Sequence, residues 1–231
     1  MSLFRLPFIV ATAAAFHISA TSPKKPDFHE KVQPSQLDSL LRTSSWISAV
    51  LKSIYWTGAV AETASAVASY IQHAYVPKAL LFLRGSTTGT LNTVFIVGSV
   101  LAVSGGLIRL MCHRALGRFY TLHLGKCKGH ALITGGPYSI VRHPGYTGSA
   151  LCYLGILTMH MSSESWMRAS GVMGFWWAKI LALTWISFAG LLSVGAVQKA
   201  KEEDRMMRDT FKVQWIDWAK VVRYRLVPGV Y

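Results

Sequence analysis

Residues 91–111 hold no charge before Arg109, and that run restricts the fold more than any other feature of the chain. A membrane-crossing helix needs about 20 mainly apolar residues, which this stretch supplies, and Gly105 and Gly106 would let a second helix come close. Further apolar runs cover residues 3–20, 146–161 and 171–197, with a weaker, alanine-rich one at 46–76. The pattern predicts an all-α, polytopic membrane protein with about five transmembrane helices. Composition agrees: 52% of the 231 residues are hydrophobic, 15% are charged and the mean hydropathy is +0.34, a poor fit to a soluble globule.

Two of the runs carry charge that needs a reason. The first has Arg5 ahead of its apolar middle; it is read as a retained span, with a cleaved signal peptide as the alternative. The weak run contains Lys52, Glu62 and His73, and an acid at mid-membrane is costly unless it faces protein or water. Small residues around it (Ala59, Ala61, Ala64, Ser65, Ala66, Ala68) fit a helix pressed against its neighbours; a place for Glu62 on a substrate path is the other reading.

A net charge of +14 would suggest nucleic acid as the partner of a soluble protein. Here the basic residues lie between apolar runs, so the expected partner is the bilayer and not nucleic acid. Residues 112–142 include Arg114, Arg118, Lys126, Lys128 and Arg142 and no acid, which predicts a cytosolic face. Five spans would then leave the N-terminus outside and the C-terminus in the cytosol. The chain divides accordingly into N-terminal helices and connectors, residues 1–111, and a core, residues 112–231. In the amphipathic tail, residues 198–231, Trp215 and Trp218 are expected at headgroup level. Cys112, Cys127 and Cys152 are odd in number and lack CxxC spacing, so neither a disulfide framework nor a structural zinc site is expected. The wider set Cys112, His113, His123, Cys127 and His130 matches no zinc pattern, and no metal is expected.

Residues 130–148 are too rich in functional groups for a plain connector. His130, Thr134, Tyr138, Arg142, His143 and Tyr146 sit among the turn signals Gly135-Gly136-Pro137 and His143-Pro144-Gly145. Such a segment can offer backbone groups to a small polar ligand, or it can be a re-entry loop whose Arg and His reach lipid phosphates. Downstream, Glu202, Glu203 and Asp204 lie near Lys199 and Arg208, which on spacing alone reads as a solvated helix face.

The two segments together resemble a known family. The run from Leu132 to Tyr138, then Arg142-His143-Pro144-Gly145-Tyr146-Thr147-Gly148, and the closing pattern of Glu203-Asp204, Met207, Phe211, Trp215, Trp218 and Val227-Pro228 are similar to isoprenylcysteine carboxyl methyltransferases. The similarity runs from Leu116-Gly117-Arg118-Phe119 to the end. It implies S-adenosylmethionine as methyl donor and the C-terminal carboxylate of a prenylated cysteine, as on processed CaaX-type proteins, as acceptor. It further implies an endoplasmic reticulum membrane protein whose cofactor pocket faces the cytosol, built without a Rossmann domain. The chain has no GxGxxG after an expected strand, in line with this. Carried over, the cofactor contacts are His130, Ala131, Leu132, Ile133, Tyr138, His143, Pro144, Gly145, Tyr146 and Glu203. Lys199 and Glu203 are the implied catalytic pair, with Lys199 on the substrate carboxylate.

Three departures stand in the tail. Lys199 replaces an arginine and so loses a bidentate fork, Asp204 replaces a second Glu, and Lys212 replaces a glycine. They leave open a small-molecule carboxylate or a lipid as acceptor, a nicotinamide-dependent membrane reductase on the same fold, and a scaffold without activity.

Overall fold

The computed structural model describes residues 3–21, 28–31, 36–70, 91–120, 125–127, 129, 131–163 and 165–231. His73, His123, Lys128 and His130, all invoked above, lie outside them. Helices begin and end where the sequence supplies caps and breakers. Helix α1, Leu6–Ser19, carries Pro7 in its first turn, where a missing N–H costs nothing. Helix α2 is Gln36–Tyr70 and so begins ten residues ahead of the alanine-rich apolar run at 46–76. Helix α3, Thr93–Leu116, opens on Asn92, whose side chain accepts from the Phe95 N–H at 2.8 Å, and closes on Gly117. Helix α4, Pro144–Met161, starts on proline, and α5 is the short Trp166–Ala169. Helix α6, Trp176–Phe211, passes into α7, Val213–Val221, through Lys212.

The fold is all-α apart from one short antiparallel pairing among the described residues. Strand β1, Phe28–Lys31, pairs with β2, Gly125–Cys127, and so ties the connector after α1 to the one after α3.

Helices α3 and α4 form the centre, running antiparallel at backbone contact. A Cβ on Gly98 would meet Met159 N at 2.4 Å, one on Gly105 would meet Cys152 N at 2.4 Å, and one on Gly155 would meet Ala102 N at 2.3 Å. Helix α1 lies against the same pair, with Gly106 facing Ala15. Where two apolar helices have no solvent to escape from, this close approach is the source of packing energy. Aromatic rings lock the outer helices on: Phe16 of α1 has its ring 5.1 Å from Tyr55 of α2, 5.7 Å from Tyr153 of α4 and 4.9 Å from Trp185 of α6, centroid to centroid.

Glu62 is answered here. Its carboxylate lies 3.2 Å from the Arg5 guanidinium, both side chains buried, and Arg5 also stacks 4.2 Å over Phe95 in the first turn of α3. The acid is held by a neighbouring helix and stands at the opposite end of α3 from the pocket described below. Among the described residues two helices, Thr93–Phe119 and Trp176–Phe211, are long and apolar enough to cross a membrane, and Leu3–Ser19 is a shorter apolar one. Along α6 the side chains of Trp176, Ile180, Leu183, Ile186, Leu191 and Val194 are all exposed. An apolar surface of that extent calls for an apolar surrounding.

Candidate active site

The loop ahead of α4 is shaped by its turn residues. Gly136 has φ of 62°, a conformation glycine adopts without strain, and with Pro137 it begins the 3-10 turn Gly136–Ser139. The chain's last residues then strap the loop down. The N–H groups of Arg142 and His143 donate to the carbonyls of Tyr224 and Arg225 at 2.9 and 2.8 Å, and the Thr147 hydroxyl donates to Leu226 O at 2.6 Å. Pro144, which has no N–H to lose, opens the helix at this point.

His143 is the centre of charge. Its Nδ1 lies 3.1 Å from Glu203 Oε2 and its Nε2 lies 2.9 Å from Asp204 Oδ1, so each ring nitrogen faces a carboxylate. Burial works against the charged ring, but hydrogen bonds to Asp204 and Glu203 outweigh it and raise the imidazole to about 9. His143 is therefore an imidazolium at neutral pH, donating from both nitrogens. Tyr146 donates its hydroxyl to Glu203 Oε1 at 2.6 Å, which uses the second oxygen of that acid. Asp204 also receives Arg142 Nη1 at 3.0 Å and Arg225 Nε at 2.8 Å. Both acids belong to the polar end of α6, beyond its apolar part. Burial opposes their ionisation, yet bonds from His143 hold both below the ordinary carboxylate range, helped by Lys199 at Glu203 and by Arg225 and Arg142 at Asp204. A solvated helix face would leave these groups in water; here Lys199 and Asp204 are buried.

One pocket gathers most of the expected residues. Ala131, Leu132, Ile133, Tyr138 and His143 line it, as do Gly145, Tyr146, Lys199 and Glu203. Pro144 stands behind the wall as the buried start of α4, and His130 lies outside the described residues. The pocket also has walls that sequence patterns do not assign: Arg109, Leu116, Phe119 and Tyr120 from the end of α3, and Met206, Met207, Trp215 and Trp218 from the tail. Arg109 comes from the far side of the division drawn at residue 111.

The two tryptophans expected at headgroup level both line the pocket, and Trp215 is buried with Arg208 at 4.8 Å and Arg142 at 5.6 Å from its ring. Trp215 is the buried residue of α7, and guanidinium groups stack on its ring. The presence of both tryptophans in the quoted tail pattern was the available signal. Among the described residues no group of three or more His, Cys, Asp or Glu is arranged to hold a metal ion.

The pocket wall has unmet polar atoms of one kind. Arg109 Nε, Arg142 Nε, Trp215 Nε1 and Trp218 Nε1 are buried without a partner among the described residues, and all four are donors. Buried donors left unpaired are costly, so a fitting ligand brings acceptors. A nucleoside amino acid such as S-adenosylmethionine does so through its carboxylate, ribose hydroxyls and ring nitrogens, and the Glu203 side chain is 23% exposed beside them.

No curated protein matches the chain. The sequence model of the phospholipid methyltransferase family matches residues 93–214, a stretch that runs from the first residue of α3 through the turn, α4 and the acids of α6. That is more than half of the 231 residues and includes most of the pocket wall; the chain is a membrane methyltransferase belonging to the phospholipid methyltransferase family.

Proposed function

We propose that the chain moves a methyl group from S-adenosylmethionine to the C-terminal carboxylate of a prenylated cysteine, free or on a CaaX-type protein. The site would face the cytosol of an endoplasmic reticulum membrane that the chain crosses about five times. The observation that carries this choice is the polarity of the pocket. Its acids are already engaged by His143, Tyr146, Arg142 and Arg225, while the unpaired atoms on its wall are donors. With Glu203 given to the cofactor, an acceptor bearing a carboxylate suits the remaining wall better than one bearing an ammonium group.

When bound, S-adenosylmethionine supplies a methyl group on a positively charged sulfur. Ala131, Leu132, Ile133, Tyr138 and the turn from His143 to Tyr146 would hold it, with Glu203 toward its cationic part. Lys199, one helical turn before Glu203, would hold the acceptor carboxylate by charge. An unperturbed α-carboxyl group titrates at about pH 3.3 to 3.7 and is ionised at neutral pH, so no side chain has to remove a proton. The protein's work is alignment, and rigidity of the wall serves it: the imidazolium of His143 fixes both acids, and the C-terminal strap fixes the turn. A prenyl chain is too apolar to wait in water and would enter between helices from the bilayer.

The test is methyl transfer by membranes containing the protein to a prenylcysteine, with labelled S-adenosylmethionine. Activity is expected, together with its loss in Glu203→Ala; an active Glu203→Ala enzyme would remove the site assignment. The family's description favours a second reading, a phospholipid amine as acceptor. Label appearing in lipid and not in prenylcysteine would select it. A rise in melting temperature with NADPH but not with S-adenosylhomocysteine would select a reductase instead.

A further inference from the structure

Arg109 is a buried arginine in the last third of α3, a helix long and apolar enough to cross a membrane, and it is 6% exposed. A guanidinium at such depth normally faces a carboxylate or a water-filled cavity. This one has no ion pair among the described residues. Its Nη2 donates to the carbonyl of Ser19 at the end of α1, 3.0 Å away, its Cζ lies 5.5 Å from the centroid of the Tyr120 ring, and its Nε has no acceptor among the described residues. The group lines the pocket.

The opening turn of α4 runs close beside it. A Cβ on Gly148 would stand 3.2 Å from the Arg109 Cγ, and one on Gly145 would stand 3.4 Å from its Nη1. Gly148 is required first by the α3 backbone, where its Cβ would stand 2.8 Å from Gly105 O, and with Gly145 it presents a smooth helix face past which the arginine reaches the pocket. A residue held in the bilayer only as a helix anchor would need the Ser19 bond alone, and no place on the pocket wall.

We infer that Arg109 receives the carboxylate of the membrane-borne acceptor, donating from Nε and from a terminal nitrogen. This rests on the acceptor proposed above. It supplies, from a different helix, the forked donor that Lys199 does not provide, so the acceptor anion would lie between a fork and a point charge. Arg109 belongs to a helix that runs down into the apolar layer, and the acceptor arrives from that side.

The test uses full-length protein in phosphatidylcholine vesicles, with S-farnesylcysteine as acceptor and its methyl ester as a neutral competitor. In Arg109→Gln, kcat/KM for the acceptor is expected to fall about a hundredfold, mainly through KM, while the affinity for S-adenosylhomocysteine changes less than about threefold. The wild type is expected to bind the free acid more tightly than the ester, and Arg109→Gln to lose that preference. Arg109→Lys keeps the charge but not the fork and is expected to recover about tenfold of the loss. Wild-type acceptor kinetics and acid-over-ester preference in either variant overturn the assignment. So does a rise in KM for S-adenosylmethionine alone, which would put Arg109 on the donor, and so does parallel loss of donor and acceptor binding in both variants, which would make it purely structural. No transfer to S-farnesylcysteine by the wild type would instead refute the proposed function.

Discussion

Replacing Gly155 with alanine tests the central claim about the fold, that α3 and α4 meet backbone to backbone. The new Cβ would stand 2.3 Å from Ala102 N, 2.6 Å from Gly98 O and 2.8 Å from Ala102 Cα. Ordinary contact begins at 3.4 Å, so the shortest of these falls about 1.1 Å short. No side chain can swing away, because every atom it meets is backbone. The helices must part by about 1 Å there, and a gap of that order forfeits roughly a quarter to a half of each van der Waals contact along the seam. Overpacking of a tight interior costs about 1–3 kcal/mol, and a backbone obstacle points to the upper end. About 3 kcal/mol corresponds to a fall of roughly 6–12 °C in Tm for a chain of this size. The melt is measured in detergent by the emission of the eight tryptophans. Gly190→Ala is the control: nothing lies within 4 Å of its Cβ, and alanine favours helix, so its Tm should hold or rise slightly. A Gly155→Ala protein melting within about 2 °C of wild type, or a Gly190→Ala protein equally destabilised, would refute the reasoning.

The remaining expectations concern the site end. His143 is raised from 6.5 to about 9 in the fold, so its share of stability is complete below pH 6.5 and lost as the pH rises through about 9. That share is about 3 kcal/mol, and a pH series of melts should show the decline in wild type and its absence in His143→Gln. Asp204→Asn keeps the shape but leaves Arg142, His143 and Arg225 facing a neutral amide; a loss of about 3–5 kcal/mol is expected in denaturant or thermal unfolding. Lys212 is the one non-glycine residue at positive φ among the described residues, at φ 48° and ψ −113°, close to the geometry that Gly117 adopts at the end of α3. Lys212→Gly should therefore raise stability by about 1 kcal/mol, the strain relieved less the added chain entropy, while Lys212→Ala should give no gain.

What could be read without coordinates was whatever repeats locally. Apolar runs marked α3 and α6, and the turn residues from Gly135 to Gly145 marked a segment that does line a pocket. Spacing also put Lys199 and Glu203 on one helix face, though it could not say that the face is buried. The rest depended on long-range geometry. Arg109 reads in sequence as the charge that ends a span, because a run of apolar residues says nothing about what a side chain meets across the next helix. Gly148 reads as a turn or packing glycine, and only its 3.2 Å approach to the Arg109 side chain links the two. Arg225 lies in a tail with no periodicity to interpret, yet it closes the charge cluster on Asp204. The substitution of Asp for Glu at 204 illustrates the limit best. In sequence it counts as a departure bearing on the acceptor, but in the fold Asp204 touches Arg142, His143 and Arg225, all of which are supports of the wall. A shorter acid there bears on how the strap meets the turn, and under the proposed function Lys199 and Arg109 are the residues on which acceptor specificity would turn.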